Sequence, residues 1–500
     1  MFKPVSADYS TIGFYTGKII VGVGLLMLIP VATACLFAEW SVVLDFLIGF
    51  SLCILVGLGL QIFTSAQKEI NWTLGMVTAS LSWFIATCLG AVPSWLSGQY
   101  GSYLDACFDV MSGYTTTGLY LIQNLNHTSY GLNMWRHLLS YVGGQGIIVV
   151  ALTFAMKGFA GTYSLYVGEG KDERLLPNVI HTARVIWLIS LTYMAVGTLI
   201  LTISARLAGM GWLRGFFHAL WLFMGAWSTG GFAPMSQNLM YYHFAIIEMI
   251  TMIIFIAGSL NFALHFTIWH VQYKEIFHNL EIVSFTCTVL ITSAFVLYGL
   301  EKSGVYPGIW AAWRRGFYQL VSAHTTTGNM TIYASTWLGE WEFLSYLGII
   351  IAMAIGGSAC STAGGFKNLR IGVIFTGLVE DIRRLISPES SIVVQKFHHI
   401  KDVVLTDSYI RMIMLIVLSY IGLYVASTVV AVSEGYPFLE ALFEGISAAS
   451  NTGLSCGLTV PNMPSMIKVV YIFAMWAGRL EFMALFALFG FIGSVFGGVK

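Results

Sequence analysis

FDVMSGYTTTGL at Phe108–Leu119, WLFMGAWSTGGF at Trp221–Phe232, YQLVSAHTTTGN at Tyr318–Asn329 and FEGISAASNTGL at Phe443–Leu454 are four versions of one phrase. They align without gaps. Each opens on an aromatic residue, carries a small residue at the fifth place (Ser112, Gly225, Ser322, Ser447) and ends in a hydroxyl-rich run closed by glycine. The closing glycines are Gly118, Gly231, Gly328 and Gly453, spaced by 113, 97 and 125 residues, so the chain holds four copies of a large unit. One chain thus supplies the four loops that a pore needs around an axis.

Composition fixes the solvent. Apolar residues make up 57% of the 500, charged residues 10%, and the mean hydropathy is +0.78, the profile of a chain that lives in lipid. A formal net charge of zero argues against nucleic acid as a partner. The seven cysteines are scattered, without metal spacing, and read as small core residues. Ile19–Phe37 is too long for a signal-peptide core and is expected to remain as a helix.

Apolar runs near 20 residues predict two leading helices at 17–37 and 42–64, then four units of helix, short re-entrant segment, helix. The first members are expected near 72–96, 181–205, 280–300 and 407–432, the second near 134–157, 242–268, 342–374 and 466–492. Between them, apolar stretches of about 10–12 residues are too short to span and run straight into the phrase. The fold class is an all-α integral membrane protein with four helix–pore-loop–helix repeats around a single pore, plus two extra N-terminal transmembrane helices. The expected division is 1–70 for the leading helices, then repeats at 71–160, 161–275, 276–400 and 401–500. Ten spans place both termini on one side.

Positive charge orients the chain. Lys367–Lys401 carries Lys367, Arg370, Arg383, Arg384, Lys396 and Lys401, and Lys157–Arg184 carries Lys157, Lys171, Arg174 and Arg184. Both connections lie opposite the phrases, so that side is cytoplasmic and the phrases face outward. Arg206, Arg214, Arg314 and Arg315 fall on the outer side and weaken the bias without reversing it.

Non-helical backbone at membrane depth belongs where it lines a wet or protein-enclosed cavity. Backbone carbonyls there can replace the water shell of a weakly hydrated cation such as potassium. Glycine permits the torsions that aim successive carbonyls at one axis, and threonine and serine hold the loop through local hydrogen bonds. The candidate filter is therefore Thr115, Thr116, Thr117 and Gly118; Ser228, Thr229, Gly230 and Gly231; Thr325, Thr326, Thr327 and Gly328; Ser450, Asn451, Thr452 and Gly453. A single TTTG would read as a polar turn; four aligned copies behind short apolar helices do not.

YTTTGL (114–119), GGQGI (143–147), STGGF (228–232), NFALHF (261–266), TTTGN (325–329), GGSACSTAGGFK (356–367), NTGL (451–454) and GRLE (478–481) together resemble the Trk/Ktr/HKT superfamily of potassium transporters over essentially the whole chain. The leading helices resemble the bacterial Trk branch. The resemblance implies a homodimer in the bacterial inner membrane, each protomer holding a pore with one filter glycine per repeat. It implies potassium as the transported ligand, no cofactor in this chain, and a cytoplasmic nucleotide-binding regulatory ring as partner. Asn329 after the third glycine, Cys360 and Phe366 depart from the family pattern.

Several further residues stand out. Gly356, Gly357, Ser358, Ala359, Cys360, Ser361, Thr362, Ala363, Gly364 and Gly365 should break the sixth unit helix into a loop protruding below the filter, which the resemblance makes the gate. Small-residue helix packing is the plainer alternative. Arg479, midway through Val469–Phe489, reads as a fixed positive charge beneath the filter, or as a structural partner of carboxylates or carbonyls on another helix. Glu481 suits a structural role. Asp105 with Asp109 and Glu440 with Glu444 lie at matched places in repeats one and four, either as an anionic mouth or as offsets to helix dipoles. Asn261 and His265 read as a helix-packing pair. Potassium uptake is the leading reading and a sodium-permeable or sodium-coupled symporter of the same fold its rival. An intramembrane enzyme finds no nucleophile and base beyond Ser322 and His324, and no GxGxxG or Walker motif is present.

Overall fold

The computed structural model describes residues 4–146, 149, 179–388 and 396–496. Ser6–Leu26 runs through one turn at Met27 into Leu28–Leu36 and packs on Trp40–Phe63, so the first helix begins well before the expected residue 17. The first members of the four units are Trp72–Leu96, Val179–Leu207, Leu280–Ser303 and Asp407–Ser433, close to their expected bounds. Asn71, Asn279 and Thr406 start three of them by accepting from the backbone N–H of Leu74, Glu281 and Tyr409, which satisfies donors that lipid could not. Six described helices are long and apolar enough to cross a membrane, or up to eight if each of two bent pairs counts as one span. Together with the chain's hydropathy, they make this an integral membrane protein.

Short helices precede each phrase: Tyr103–Tyr114, Trp212–Trp227, Tyr318–His324 and Phe438–Ala449. The third follows directly on Ile309–Ala312 and a wider π turn at Trp313–Phe317.

The second members depart from expectation. Tyr130–Gln145 ends at Gly146, and apart from Val149 the stretch expected to continue it to 157 lies outside the described residues. The helix expected over 242–268 is two, Ala245–Ser259 and Phe262–Trp269, bent by 101°. The one expected over 466–492 is also two, Ser465–Arg479 and Met483–Phe496, bent by 112°. Extended backbone at Leu260 and a cap by Asn261 end the former helix and start the next. At the latter break, Glu481 and Phe482 both take positive φ, 51° and 67°. In repeat three, Phe343–Ile355 and Asn368–Ile386 flank the glycine loop. All four second helices thus stop at corresponding places.

Each second helix packs on the short helix of the next repeat, which closes the four units into a ring. Tyr130 and His137 meet Trp221; Phe255 and Thr251 meet Tyr318; Tyr346 stacks on Phe443; Lys468 pairs with Asp105. Aromatic contacts of this kind supply shape and dispersion where hydrophobic driving force between helices is absent. The strands Lys396–His399 and Lys401–Val404 pair antiparallel, a small hairpin unforeseen from the sequence.

Candidate functional site

The same backbone path follows each short helix. Thr117 N donates to Ser112 O at 2.8 Å, Gly230 N to Gly225 O at 2.8 Å, Thr327 N to Ser322 O at 2.8 Å and Thr452 N to Ser447 O at 2.9 Å. The small fifth residue of the phrase is therefore where the loop turns back on its own helix. Three loops are tied again by paired hydroxyls, Thr115 to Thr117 (2.8 Å), Thr325 to Thr327 (2.7 Å) and Ser450 to Thr452 (2.8 Å). Repeat two has glycine at the last of these places, and Ser228 bonds Ser140 at 2.7 Å instead.

Left-handed backbone recurs at alternate positions. Thr116, Thr229, Thr326 and Asn451 have φ of 55°, 50°, 51° and 57°, and Gly118, Gly231, Gly328 and Gly453 follow two residues later with positive φ. A β-branched residue pays sterically for φ above zero, and such strain persists only where the surroundings over-determine it. Alternate left-handed residues turn neighbouring carbonyls to one side of the loop.

The four glycines meet in a cycle. A methyl on Gly118 would lie 2.5 Å from the carbonyl oxygen of Gly230. On Gly231, Gly328 and Gly453 it would fall closer still to the carbonyl oxygens of Thr327, Thr452 and Thr117 respectively. Each repeat thus touches the next and the fourth returns to the first. All four glycines line one cavity of about 320 Å³, together with Tyr120, Asn238 and Ser455. Asn451 adds a side-chain tie from repeat four to Thr117 of repeat one (3.0 Å).

The glycine loop lies against the other end of these phrases. Thr362 Oγ1 is 3.0 Å from Thr229 Oγ1 and donates to Gly258 O at 2.8 Å; Gly364 N donates to Thr326 Oγ1 at 2.7 Å. Thr116 Oγ1 reaches Thr362 O at 3.4 Å, and a methyl on Gly364 would strike Ser450 O. The loop tip therefore touches all four repeats. Ser358 N donates to Ser259 O and Ala359 N to Glu281 Oε1, while Asn368 closes the base onto Gly356 O at 2.6 Å. Cys360 takes a φ of 49° and its carbonyl accepts from Phe262 N; Phe366 packs on Tyr420 and Tyr424. These contacts make the segment a folded loop, not a small-residue packing face.

Arg479 is the last residue of its helix and not mid-helix, because the chain breaks after it. Its Nη1 donates to Thr362 O at 2.8 Å and its Nη2 to Gly143 O at 2.6 Å. Those acceptors are backbone carbonyls, one in the glycine loop and one in the last turn of Tyr130–Gln145. Glu481 pairs instead with Lys367 (3.2 Å) and Arg370. Two cations counted as a basic cytoplasmic surface are thereby consumed inside the protein, and Lys157, Lys171 and Arg174 lie outside the described residues.

Three of the four paired carboxylates are held by partners and are not among the residues lining the cavity. Asp105 holds Lys468 at 2.6 Å, and Asp109 holds Arg136 at 3.0 Å and Tyr100 at 2.8 Å. Glu444 accepts from Ser455, Cys456, Leu458 and Thr459 and so fastens the segment after the fourth phrase. All three are buried, and each serves its partner rather than a passing ion. His265 bonds Ala257 O across the repeat-two break, and Asn261 caps the helix after it, the packing role expected of them. Ser322 donates to Asn329 O while His324 meets Thr288, so the two make no nucleophile–base pair. The sequence reading missed Gly143, Trp227, Gly258 and Glu281, whose carbonyls or carboxylate hold the loop and Arg479.

Residues 43–492 match the family model TrkH, described as cation transport protein. An uncharacterized cation transporter of Methanocaldococcus jannaschii is 31% identical over 95% of this chain and 94% of its own. The Trk system potassium uptake protein TrkH of Halomonas elongata is 28% identical, covering 95% and 96%. In fold, the crystal structure of the potassium transporter TrkH from Vibrio parahaemolyticus superposes with a TM-score of 0.81 at 23% identity, over 96% of this chain and 98% of that one. With nearly its whole length matched by the family model and by these relatives, the chain belongs to the TrkH family of cation transport proteins.

Proposed function

We propose that this protein takes up potassium across the bacterial cytoplasmic membrane through a carbonyl-lined filter made by the four phrases. The observation that carries the reading is the cycle of Gly118, Gly231, Gly328 and Gly453, each set against a carbonyl oxygen of the next repeat. A dehydrated cation needs several carbonyls at fixed spacing, and a fourfold ring of backbone supplies them without a charged side chain. Potassium as the cargo is supported by the names of relatives, among them potassium uptake proteins of Halomonas elongata and Escherichia coli.

The glycine loop Gly356–Gly365 and Arg479 form the gate in this reading. The loop tip meets all four phrases, and a guanidinium in low dielectric opposes an approaching cation over several ångströms. Protomers pair as a homodimer within lipid, both termini face the cytoplasm, and a nucleotide-binding ring acts on the loop from that side. The five segments 1–70, 71–160, 161–275, 276–400 and 401–500 are the corresponding units.

Ion flux into liposomes holding the purified protein tests the reading, with potassium, rubidium, sodium and lithium compared. Potassium and rubidium should pass and sodium and lithium should lag by at least roughly tenfold. Sodium flux equal to or above that of potassium would overturn potassium selectivity in favour of the sodium-permeable alternative.

A further inference from the structure

Arg136 lies in the second helix of repeat one, 1% exposed, at the side of the candidate filter. Its Nε donates to Asp109 Oδ2 at 3.0 Å, a carboxylate that also accepts from Tyr100. A guanidinium this deeply buried ordinarily offers its fork to a carboxylate in two parallel bonds. Here Asp109 is the one carboxylate Arg136 pairs with among the described residues, through Nε alone, and Nη1 and Nη2 meet no second one. The guanidinium carbon Cζ lies instead over two aromatic rings, 4.4 Å from the centroid of Phe232 and 5.5 Å from that of Tyr120.

Those rings belong to the two loops that meet at this point. Phe232 directly follows Gly231, and Tyr120 stands two residues after Gly118. Gly118 in turn faces the carbonyl of Gly230. The residues after the other three glycines are Leu119, Asn329 and Leu454, so only repeat two presents an aromatic face there. Phe232 is itself buried and its carbonyl lies against Gly225, which leaves little room to relax if the ring shifts.

We infer that Arg136 is a positioning residue for ion selection: its guanidinium clamps Phe232 of repeat two and Tyr120 of repeat one, and so fixes the spacing of the carbonyl ring where those repeats join. The inference rests on the filter reading above. Asp109 keeps the cation charged and oriented, and the rings take the attraction that a second carboxylate would take elsewhere. The ring is thus held from outside at one junction, by chemistry that a lysine cannot supply in planar form.

Two variants test this. Arg136→Lys keeps the charge near Asp109 and loses the guanidinium between the rings; Phe232→Leu keeps the whole Arg136–Asp109 pair and removes one ring. Both should raise the sodium-to-potassium permeability ratio by roughly fivefold, the factor that about 1 kcal/mol of lost cation–π attraction represents. The ratio does not depend on how much protein folds, so a merely structural role would lower the melting temperature and leave it unmoved. Gly328→Ser is measured in the same vesicles. If it shifts the ratio while both variants keep the wild-type value, the inference is overturned and the filter stands. If Gly328→Ser also leaves the ratio unchanged, the filter reading falls, and this inference with it.

Discussion

Arg479 Nη1 lies 2.8 Å from the carbonyl oxygen of Thr362, at the tip of the glycine loop, while Nη2 of the same side chain lies 2.6 Å from Gly143 O in repeat one. The guanidinium therefore pins the loop to the wall of the ring and places a positive charge under the four phrases. Hydrogen bonds to a charged group contribute about 1.5–3 kcal/mol each, enough to bias an open–closed equilibrium by tenfold or more. Arg479→Ala should raise potassium flux on the order of tenfold and weaken its dependence on any regulator. Normal expression with unchanged flux would show that this contact does not limit conduction.

The glycines of the proposed filter give a sharper steric prediction. At Gly118 and Gly328 any Cβ collides with backbone of the next repeat, and φ is 93° and 79°. Serine at either place should lower the potassium-to-sodium permeability ratio by about tenfold, equivalent to about 1.4 kcal/mol. Gly59, in Trp40–Phe63, has open space where a Cβ would stand, so Gly59→Ser is the matched control and should keep the wild-type ratio.

The phrases, the short helices and the glycine loop were legible because each is marked by local chemistry: hydroxyls, glycines, and apolar runs too short to span. The breaks at Leu260 and Leu480 were not, because a hydropathy window of about 20 residues averages straight through them. Yet AGSLNF at Ala257–Phe262 and AGRLEF at Ala477–Phe482 repeat the same six-residue pattern, with Ser259 where Arg479 stands. That correspondence was open to reading and places Arg479 at a helix end. The acceptors Gly143 and Thr362 were beyond reach, since they lie 336 and 117 residues from Arg479 and only the closed ring joins them. The carboxylates misled for a similar reason: the partners of Asp105 and Asp109, Lys468 and Arg136, come from other helices.

Glu481 anchors the base of the loop through Lys367 and Arg370, all three at most 14% exposed in their side chains. Removing one member of a buried ionic cluster leaves its partners uncompensated and typically costs about 3–5 kcal/mol. Glu481→Gln should destabilise the protein by that order, seen as a lower thermal midpoint in detergent. Lys367→Met combined with Glu481→Gln should recover part of the loss, because one orphaned cation is gone. A double variant no more stable than the single would refute the cluster as the cause.

The hairpin carries a pH dependence. His398 Nδ1 is 2.7 Å from Asp402 Oδ1 on the paired strand, and Nε2 is 3.0 Å from Glu275 Oε2 on the segment before Leu280–Ser303. The bond to Asp402 first, and that to Glu275 second, raise the imidazole pKa above its ordinary value against the opposing effect of burial. A folded-state pKa above the unfolded one stabilises the docked hairpin fully below about pH 6.5 and loses that contribution as pH rises through the raised value. Exchange protection at the Phe397 and Val403 amides, corrected for intrinsic rate, should fall as pH climbs through that window. In His398→Gln it should stay level.

The control proposed above, by a cytoplasmic ring, has a specific test in how the glycine loop is held. Asn368 begins the helix that runs through Arg384, and its side chain bonds Gly356 O at the loop's base and Thr288 on the neighbouring helix (3.0 Å). Glu281, two residues after Asn279, which His399 of the hairpin contacts, accepts from Ala359 N within the loop. A partner that shifts Asn368–Ile386 would therefore load the loop from its base, while its tip is restrained by Thr229, Thr326 and Arg479. In the proposed reading, such a load would be hinge-type coupling with two restraint points, so that docking and gating can be tested apart. Shortening Gly356–Gly365 removes the tip contacts and leaves the Arg383–Ile386 end of Asn368–Ile386 in place. Flux through the shortened protein should no longer respond to the regulatory ring or its nucleotide, while the ring still binds in a pull-down. If the shortened protein opens and shuts with the nucleotide as the wild type does, control acts elsewhere than at this loop.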